Sequence, residues 1–409
     1  MKSRIPTISL CMIVKNEAHN LSRSLKPIHG FFDEVIVVDT GSTDGTKSLA
    51  QEYGAKVFDV PWRNDFSYAR NQSIERASGD WILWFDADNR MEIEDAKKIR
   101  SFLDDQLNKI FWCTEVVEPR GEQLIQKRIF PNRPDFRFAG SIHEQLVHPD
   151  EGIRYVWSDI RIYHWGYVDK ELLKEKTLRN LGLLQEELRL RPDDFFCHFN
   201  IARCYGNLRA FEKAMDHLKR VIQNPAARQE NPDIYFYAFI LIFLSLEKLG
   251  KRQEGHSILN RLREENPRNG LGWFYSGRLH FQEGEIQQAI QELMKFQELG
   301  ISAYSIDLPR QKMMFESYYW LAQCYEKSGE PSLAREAYER SLDFEPGNGH
   351  VYLKLASLCK HLGQGEEERS FLRRCLELNP RNRSAKAAFN QVAAPSPFPS
   401  PPETGERVG

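Results

Sequence analysis

Residues 8–14 are almost wholly apolar and stop at Lys15-Asn16-Glu17. A short apolar run of this kind, bounded by polar residues, suits a strand buried on both faces of a parallel sheet. Behind it, Ala18, Leu21, Leu25 and Ile28 recur at helical spacing. Residues 35–38 form a second run that ends at Asp39. The loop 40–46 turns into a short helix, and Gly54 is placed to close it. Residues 61–66 read as a loop and 67–77 as a helix stopped by Gly79. Trp81-Ile82-Leu83-Trp84-Phe85 is the strongest strand, and it ends abruptly at Asp86-Ala87-Asp88. Strand and helix alternate, which argues for a right-handed parallel α/β sheet.

The pattern then loosens. Residues 92–107 read as a helix with Ala96, Ile99, Leu103 and Leu107 on one face. Residues 110–117 and 126–130 read as strands, and 160–167 alternate with period two, so that Ile160, Ile162 and His164 share a face. Residues 171–191 predict a long amphipathic helix, with Leu173, Thr177, Leu181, Leu184 and Leu188 along one side. Beyond it the sequence repeats: Gly329 and Gly363, Ala322 and Ala356, Pro346 and Pro380, and Gly250 and Gly284 are each 34 residues apart. That period predicts stacked pairs of helices. Five repeats start near Asp194, Asp233, Asn269, Glu316 and Gly349. The second is degenerate, with Phe243 where a small residue belongs, and an insertion around 302–310 precedes the fourth. Residues 394–409 are rich in Pro and Ser and are expected to be disordered.

The domain reading is therefore an α/β domain over 1–169, a linking helix over 170–192, an all-α repeat domain over 193–393 and a tail over 394–409. At 409 residues, 41% hydrophobic and 12% aromatic, the chain has material for two packed cores. A formal net charge of −2 offers nothing to nucleic acid or to an anionic membrane. Seven scattered cysteines without CxxC spacing read as reduced, buried thiols, and the expectation is a cytoplasmic protein. The N-terminus lacks the apolar core of a signal peptide. The longest apolar-rich run, 234–246, is too short to span a bilayer.

The chemistry concentrates where the apolar runs stop. Ligands of parallel sheets bind beyond the carboxyl ends of the strands. Asp86 and Asp88 stand there two residues apart, and hard oxygen ligands of this kind suit Mg²⁺ or Mn²⁺ held together with substrate phosphates. A solvated acidic turn is the plainer alternative.

Three segments, Ile8-Ser9-Leu10-Cys11-Met12-Ile13-Val14-Lys15-Asn16-Glu17, Val37-Val38-Asp39-Thr40-Gly41-Ser42-Thr43-Asp44-Gly45-Thr46 and Trp84-Phe85-Asp86-Ala87-Asp88, together resemble the family 2 glycosyltransferases of GT-A fold, over roughly residues 7–170. Tyr318, Leu321, Ala322, Tyr325, Gly329, Ala334, Tyr338 and Pro346 fit the tetratricopeptide pattern. The fold expected is a GT-A nucleotide-diphospho-sugar transferase domain followed by an all-α tetratricopeptide solenoid. The resemblance implies that Asp39 and Asp44 meet the nucleotide, although turn and cap chemistry would also use them. Many family members carry a second Asp where this chain has Thr40. Ala69-Arg70-Asn71 matches a segment of the tetratricopeptide-fused branch, and Arg70 can grip a diphosphate oxygen or form a surface salt bridge. Gly140-Ser141-Ile142-His143-Glu144 is similar to the branch's Gly-x-x-His-Glu, which makes Glu144 the candidate general base and His143 a diphosphate contact or tuning neighbour. The rival for Glu144 is a sheet-edge carboxylate paired with Arg128 or Arg137. His164, in a segment like the branch's His-x-Gly-Tyr, is the candidate third metal ligand beside Asp86 and Asp88, or a diphosphate ligand, with an ordinary core or surface histidine as the plainer alternative.

The reading is an inverting, metal-assisted glycosyltransferase with a nucleotide-diphosphate sugar donor, a UDP-sugar foremost, and a peptide, protein or glycan acceptor. The repeat groove would recruit the acceptor, a protein partner or a second copy. A nucleotidyltransferase is disfavoured because Lys15-Asn16-Glu17 holds no glycine. The remaining alternative is a non-catalytic repeat scaffold with a vestigial nucleotide-sugar-binding domain.

Overall fold

The computed structural model describes residues 5–104, 106–117, 122–149, 151–165, 170–301 and 308–392. The expected tail, the centre of the insertion and residues 166–167 lie outside these. The described residues fall into two compact units, one running to Leu262 and taking in residues 308–309, the other holding the remaining residues from Arg263 on.

The first unit is built on a mixed sheet. Its strands are β1 (Ile8–Val14), β2 (Glu34–Asp39), β3 (Lys56–Asp59), β4 (Trp81–Trp84), β5 (Asn89–Arg90), β6 (Lys109–Val117), β7 (Glu122–Pro131) and β10 (Arg154–His164), while β8 (Arg137–Ala139) and β9 (Gln145–Val147) form a separate hairpin. The order across the sheet is β3-β2-β1-β4-β7-β6-β10-β5. The half containing β3, β2, β1 and β4 is parallel, as the alternating pattern predicts. The other half is mixed, with β10 parallel to β6. β7 runs antiparallel to both β4 and β6, and β5 runs antiparallel to β10. Too few residues separate β6 from β7 for a crossover, and strands joined so closely pair antiparallel.

Apolar runs are continuous in the central strands because both faces are covered. Leu10, Met12, Val37 and Leu83 pack with Leu21 of α1 (Ala18–Leu25), Ala50 of α2 (Thr46–Glu52) and Ala96 of α4 (Ile93–Phe102). Cys11, Ile36 and Ile82 face the other way, toward Ile74 of α3 (Phe66–Ile74) and toward Phe138 and Leu146 of the β8–β9 hairpin. Gly54 closes α2 as expected, with φ +76° and its N–H on Gln51 O at 2.9 Å. α4 is shorter than its apolar spacing suggests, because Leu103 turns extended and Leu107 takes φ +49°. Gly79 sits where a Cβ would come 2.6 Å from Ser9 Oγ and 2.8 Å from Ser9 N.

Helices follow: α5 (Lys170–Leu190), α6 (Phe195–Asn207), α7 (Phe211–Gln223), α8 (Pro225–Glu230), α9 (Pro232–Lys248) and α10 (Arg252–Glu265). The second unit continues with α11 (Gly270–Glu283), α12 (Ile286–Leu299), α13 (Arg310–Lys327), α14 (Pro331–Ser341), α15 (Gly349–His361), α16 (Gly365–Leu378) and α17 (Arg383–Gln391). The helix pairs match the repeat starts. Asp194, Asn231, Asn269 and Asn348 each cap the first helix of a pair through the side chain. Such caps satisfy backbone N–H groups that the helix leaves open. The short α8 breaks the pairing after the first repeat; Pro225 at its first position and the Asn224 cap are its local signals.

Candidate active site

The carboxyl ends of β1, β2 and β4 and the end of β10 lie together, and each brings polar residues there. At the end of β2, Asp39 is almost fully buried. Its Oδ1 accepts from Gly41 N–H at 2.9 Å and Ser42 N–H at 2.7 Å. Among the described residues its Oδ2 is buried without a hydrogen-bond partner. A buried carboxylate oxygen left open is costly unless a ligand supplies the donor. Asp44 is placed otherwise. Its Oδ1 accepts from Thr46 N–H at 2.9 Å and from the Thr46 hydroxyl, and its Oδ2 from Ala18 N–H at 3.3 Å. These bonds tie α1 to the start of α2. Asn16, at φ +55°, completes the turn by accepting from Thr43 N–H at 2.8 Å.

Arg70 is the centre of the other half of the site. It projects from α3, whose start is fixed by Asp65 accepting from Tyr68 N–H at 2.8 Å. Arg70 is buried rather than a surface salt-bridge residue. Its Nη2 donates to Asp86 Oδ1 at 2.9 Å and its Nε to Glu144 Oε1. Glu144 therefore pairs with Arg70, and not with Arg128 or Arg137. The guanidinium lies 4.3 Å from the ring centre of Trp84, and Arg128 lies 3.6 Å from the same indole. Trp84 thus contacts two cations. Arg128 Nη1 approaches Asp86 Oδ2 at 3.6 Å, and Nη2 pairs with Glu115. Burial opposes ionisation of Asp86, but Arg70 and Arg128 outweigh it and hold the carboxyl down at about 2.

Asp88 and His164 form the neighbouring pair, with Nδ1 3.3 Å from Asp88 Oδ1. Asn89 joins the two halves. It contacts His164 Nδ1 at 3.1 Å through Nδ2, and its Oδ1 accepts from Asp86 N–H at 3.0 Å and Arg128 Nη1 at 3.2 Å. Burial works against protonation of His164, yet the Asp88 hydrogen bond and charge raise its pKa overall. Among the described residues no three His, Cys, Asp or Glu side chains group to hold a metal by themselves. The donor set nevertheless fits a hard divalent cation that takes one or two protein ligands and completes its shell with phosphate oxygens. Asp88 and His164 are placed for that, whereas Asp86 is occupied by arginine.

The loop 140–145 is pinned to α3 by Phe66 N–H on Ser141 O at 2.9 Å and by Ser67 Oγ on Gly140 O at 2.6 Å. It sends Glu144 to Arg70 and His143 the other way. His143 has φ +53°, and burial, with Arg203 adding, pushes its pKa down to about 4, so the ring is neutral near pH 7.

Glu115 and Asn89 are site residues that the sequence does not single out, and it gives Arg128 and Trp84 no role in the site beyond a rival partner for Glu144 and a motif position. A signal existed. Arg128 ends the polar run Gln126-Lys127-Arg128 directly before the apolar Ile129-Phe130, and a cation next to a buried strand end needs a partner. Lys127 pairs with Trp112 and Ile129 with Phe111, so Arg128 is the extra residue of a β-bulge, which re-aims its side chain.

Residues 9–165 match the glycosyl transferase family 2 model. Tetratricopeptide repeat models match residues 240–298, 315–348 and 349–382. A tetratricopeptide-repeat-containing protein of Synechococcus elongatus is 35% identical over 239 residues, 54% of this chain and 59% of that protein. The SPbeta prophage-derived glycosyltransferase SunS of Bacillus subtilis is 33% identical over 233 residues, 54% of this chain and 55% of that one. The chain thus spans a little over half the length of these relatives. The crystal structure of MamA protein is similar at 18% identity over 49% of this chain and 98% of that one, with a TM-score of 0.36. No helix among the described residues is long and apolar enough to cross a membrane. Residues 9–165 are thus a glycosyltransferase family 2 domain, and tetratricopeptide repeats follow that domain.

Proposed function

We propose that the chain is an inverting glycosyltransferase that moves a sugar from a nucleotide-diphosphate sugar, a UDP-sugar foremost, to a peptide, protein or glycan acceptor. The observation that carries this reading is the meeting of Asp86, Glu144, Asp88 and His164 around Arg70 and Asn89 at the carboxyl edge of the sheet.

Asp39 receives the nucleoside. Its buried Oδ2 accepts a donor from the base or the ribose, while Gly41 and Ser42 hold Oδ1 in place. Arg70 faces the diphosphate, while Arg128, fully buried, contributes its charge to the site. A guanidinium fork suits two phosphate oxygens. As the diphosphate engages Arg70 it competes with Glu144 and Asp86 for the same N–H groups. Glu144 then turns to the acceptor and takes its proton as the nucleophile attacks the anomeric carbon opposite the leaving diphosphate. Mg²⁺ or Mn²⁺ on Asp88 and His164 would supply Lewis-acid stabilisation of the leaving diphosphate. Asp86 keeps Arg70 oriented, and Asp44 shapes the nucleotide loop through its turn contacts. His143, being neutral, contributes shape beside Glu144 rather than charge.

The test is release of nucleoside diphosphate from a panel of UDP- and GDP-sugars, with an acceptor extract, by wild type and Glu144→Gln. Release by wild type and loss of at least 100-fold in the variant, with nucleotide binding retained, is expected of a general base. Unchanged turnover in Glu144→Gln would remove Glu144 from the mechanism. No release from any sugar, in a protein that binds neither nucleotide, would favour a scaffold.

A further inference from the structure

On the far side of the Glu144 loop is a cleft of about 610 Å³. This lies within the range of sites that hold small ligands or short peptide segments. Its wall is the loop 139–145 on one side, and α5, α6 and α8 on the other. Ile142 of the loop packs with Leu184 of α5 and Cys197 of α6, and Ser141 Oγ donates to Glu187 Oε2 at 2.9 Å. The loop that carries Glu144 is therefore bolted to the first repeat. His143 and Gln145 line the cleft, while Glu144 between them reaches Arg70.

Among the described residues four carboxylates line this cleft, those of Glu187, Asp193, Asp194 and Glu230, against one guanidinium, Arg191. Arg191 already bridges Glu187 and Asp194, the latter at 3.1 Å. Among the described residues no side-chain ion pair joins Asp193 or Glu230. Beside the carboxylates, Phe195, Phe196 and Leu184 give an apolar wall. Uncompensated negative charge in a walled cleft raises the local concentration of cations and repels phosphates. A nucleotide, a lipid phosphate or a phosphorylated glycan is unfavourable there, and a neutral glycan leaves the charge unanswered.

We infer that this cleft receives a peptide segment of the acceptor that carries Lys or Arg next to an apolar side chain. The apolar side chain lies on Phe195 and Phe196, and the cation faces Asp193 and Glu230. A residue just outside the cleft is then carried to the edge of the loop where Glu144 stands. The inference rests on the glycosyltransferase reading only for the word acceptor; binding of the peptide does not depend on it.

The experiment uses the full chain and two fluorescein-labelled heptapeptides of alternating Leu and Lys or alternating Leu and Glu. Binding is read by fluorescence anisotropy at two salt concentrations. Wild type is expected to bind the Lys peptide at least tenfold more tightly than the Glu peptide, and more weakly as salt rises. Asp193→Lys with Glu230→Lys is expected to weaken the Lys peptide at least tenfold and to strengthen the Glu peptide. Both positions are exposed, so folding is checked by circular dichroism and expected to hold. Equal affinity for the two peptides, or a charge-reversed variant that behaves as wild type, overturns the inference. Titration of UDP and GDP on the same samples separates the two readings. Peptide binding without nucleotide binding would sink the transferase and leave the cleft. Nucleotide binding without peptide preference would do the reverse.

Discussion

Removing Arg70 tests the site as a physical object before any substrate is known. Arg70→Met keeps the length and the contact with the Trp84 face but deletes the charge. Two carboxylates then lose their shared partner. Asp86 retains Arg128 at 3.6 Å and is 28% exposed on its side chain, so part of its cost is relieved. Glu144 is 11% exposed and loses its ion pair with Arg70. Breaking a buried pair by deleting one partner costs about 3–5 kcal/mol, and the Arg128 contact argues for the lower end, about 3 kcal/mol. In a unit of this size that lowers the melting temperature by roughly 6–12 °C. The assay is differential scanning calorimetry of wild type, Arg70→Met, Glu144→Gln and the double variant. The double variant leaves no unpaired charge at Glu144 and should recover about half of the loss. A single variant within 1 kcal/mol of wild type, on the scale of an exposed pair, would refute the claim that Arg70 is a buried clasp. Additive losses in the double variant would refute the coupling of Arg70 to Glu144.

Other outcomes follow from the same geometry. Asp39→Asn should keep the backbone contacts through Oδ1 but replace the open Oδ2 with a donor, and nucleotide affinity measured by calorimetry should fall at least tenfold, about 1.4 kcal/mol. Gly79→Ala should destabilise by about 1–3 kcal/mol in chemical denaturation, because its Cβ would meet Ser9 Oγ at 2.6 Å and Ser9 N at 2.8 Å. Glu34 gives the acid limb of stability. Burial raises its pKa, but bonds from Ser9, Lys56 and Ser78 outweigh this and hold it at about 2, against 4.5 as its ordinary value. Its contribution is therefore present above about pH 4.5 and lost as pH falls toward 2, on the order of 3 kcal/mol. Glu34→Gln should flatten the stability curve between those limits in denaturant titrations at successive pH.

Much of this was readable from the chain. The strands β1, β2 and β4 are buried on both faces, so their apolar runs are continuous and their polar ends mark the site edge. The repeats are local structures, and their caps and 34-residue period are local signals. Pairing was harder to read. β7 inserts between β4 and β6, and β5 is two residues long, because both depend on partners far away in sequence. The candidate set shows the same division. Asp39, Asp86 and Asp88 lie where apolar runs end. Arg128 and Glu115 lie inside strands, and only the bulge at Arg128 turns it toward Trp84 and Asp86. Asp44 has the right residue type at the right place, yet Thr46 and Ala18 hold its oxygens. Nothing in the local sequence distinguishes its bonds from those of Asp39.

The central claim is a donor site at the carboxyl edge of the sheet. Its most direct test is calorimetric titration of UDP and of GDP, with and without Mn²⁺, on wild type and Asp88→Ala. The account predicts saturable, Mn²⁺-dependent binding of one nucleotide, UDP foremost, that is lost in Asp88→Ala while the protein stays folded. Folded wild type that binds neither nucleotide with Mn²⁺ present would contradict it.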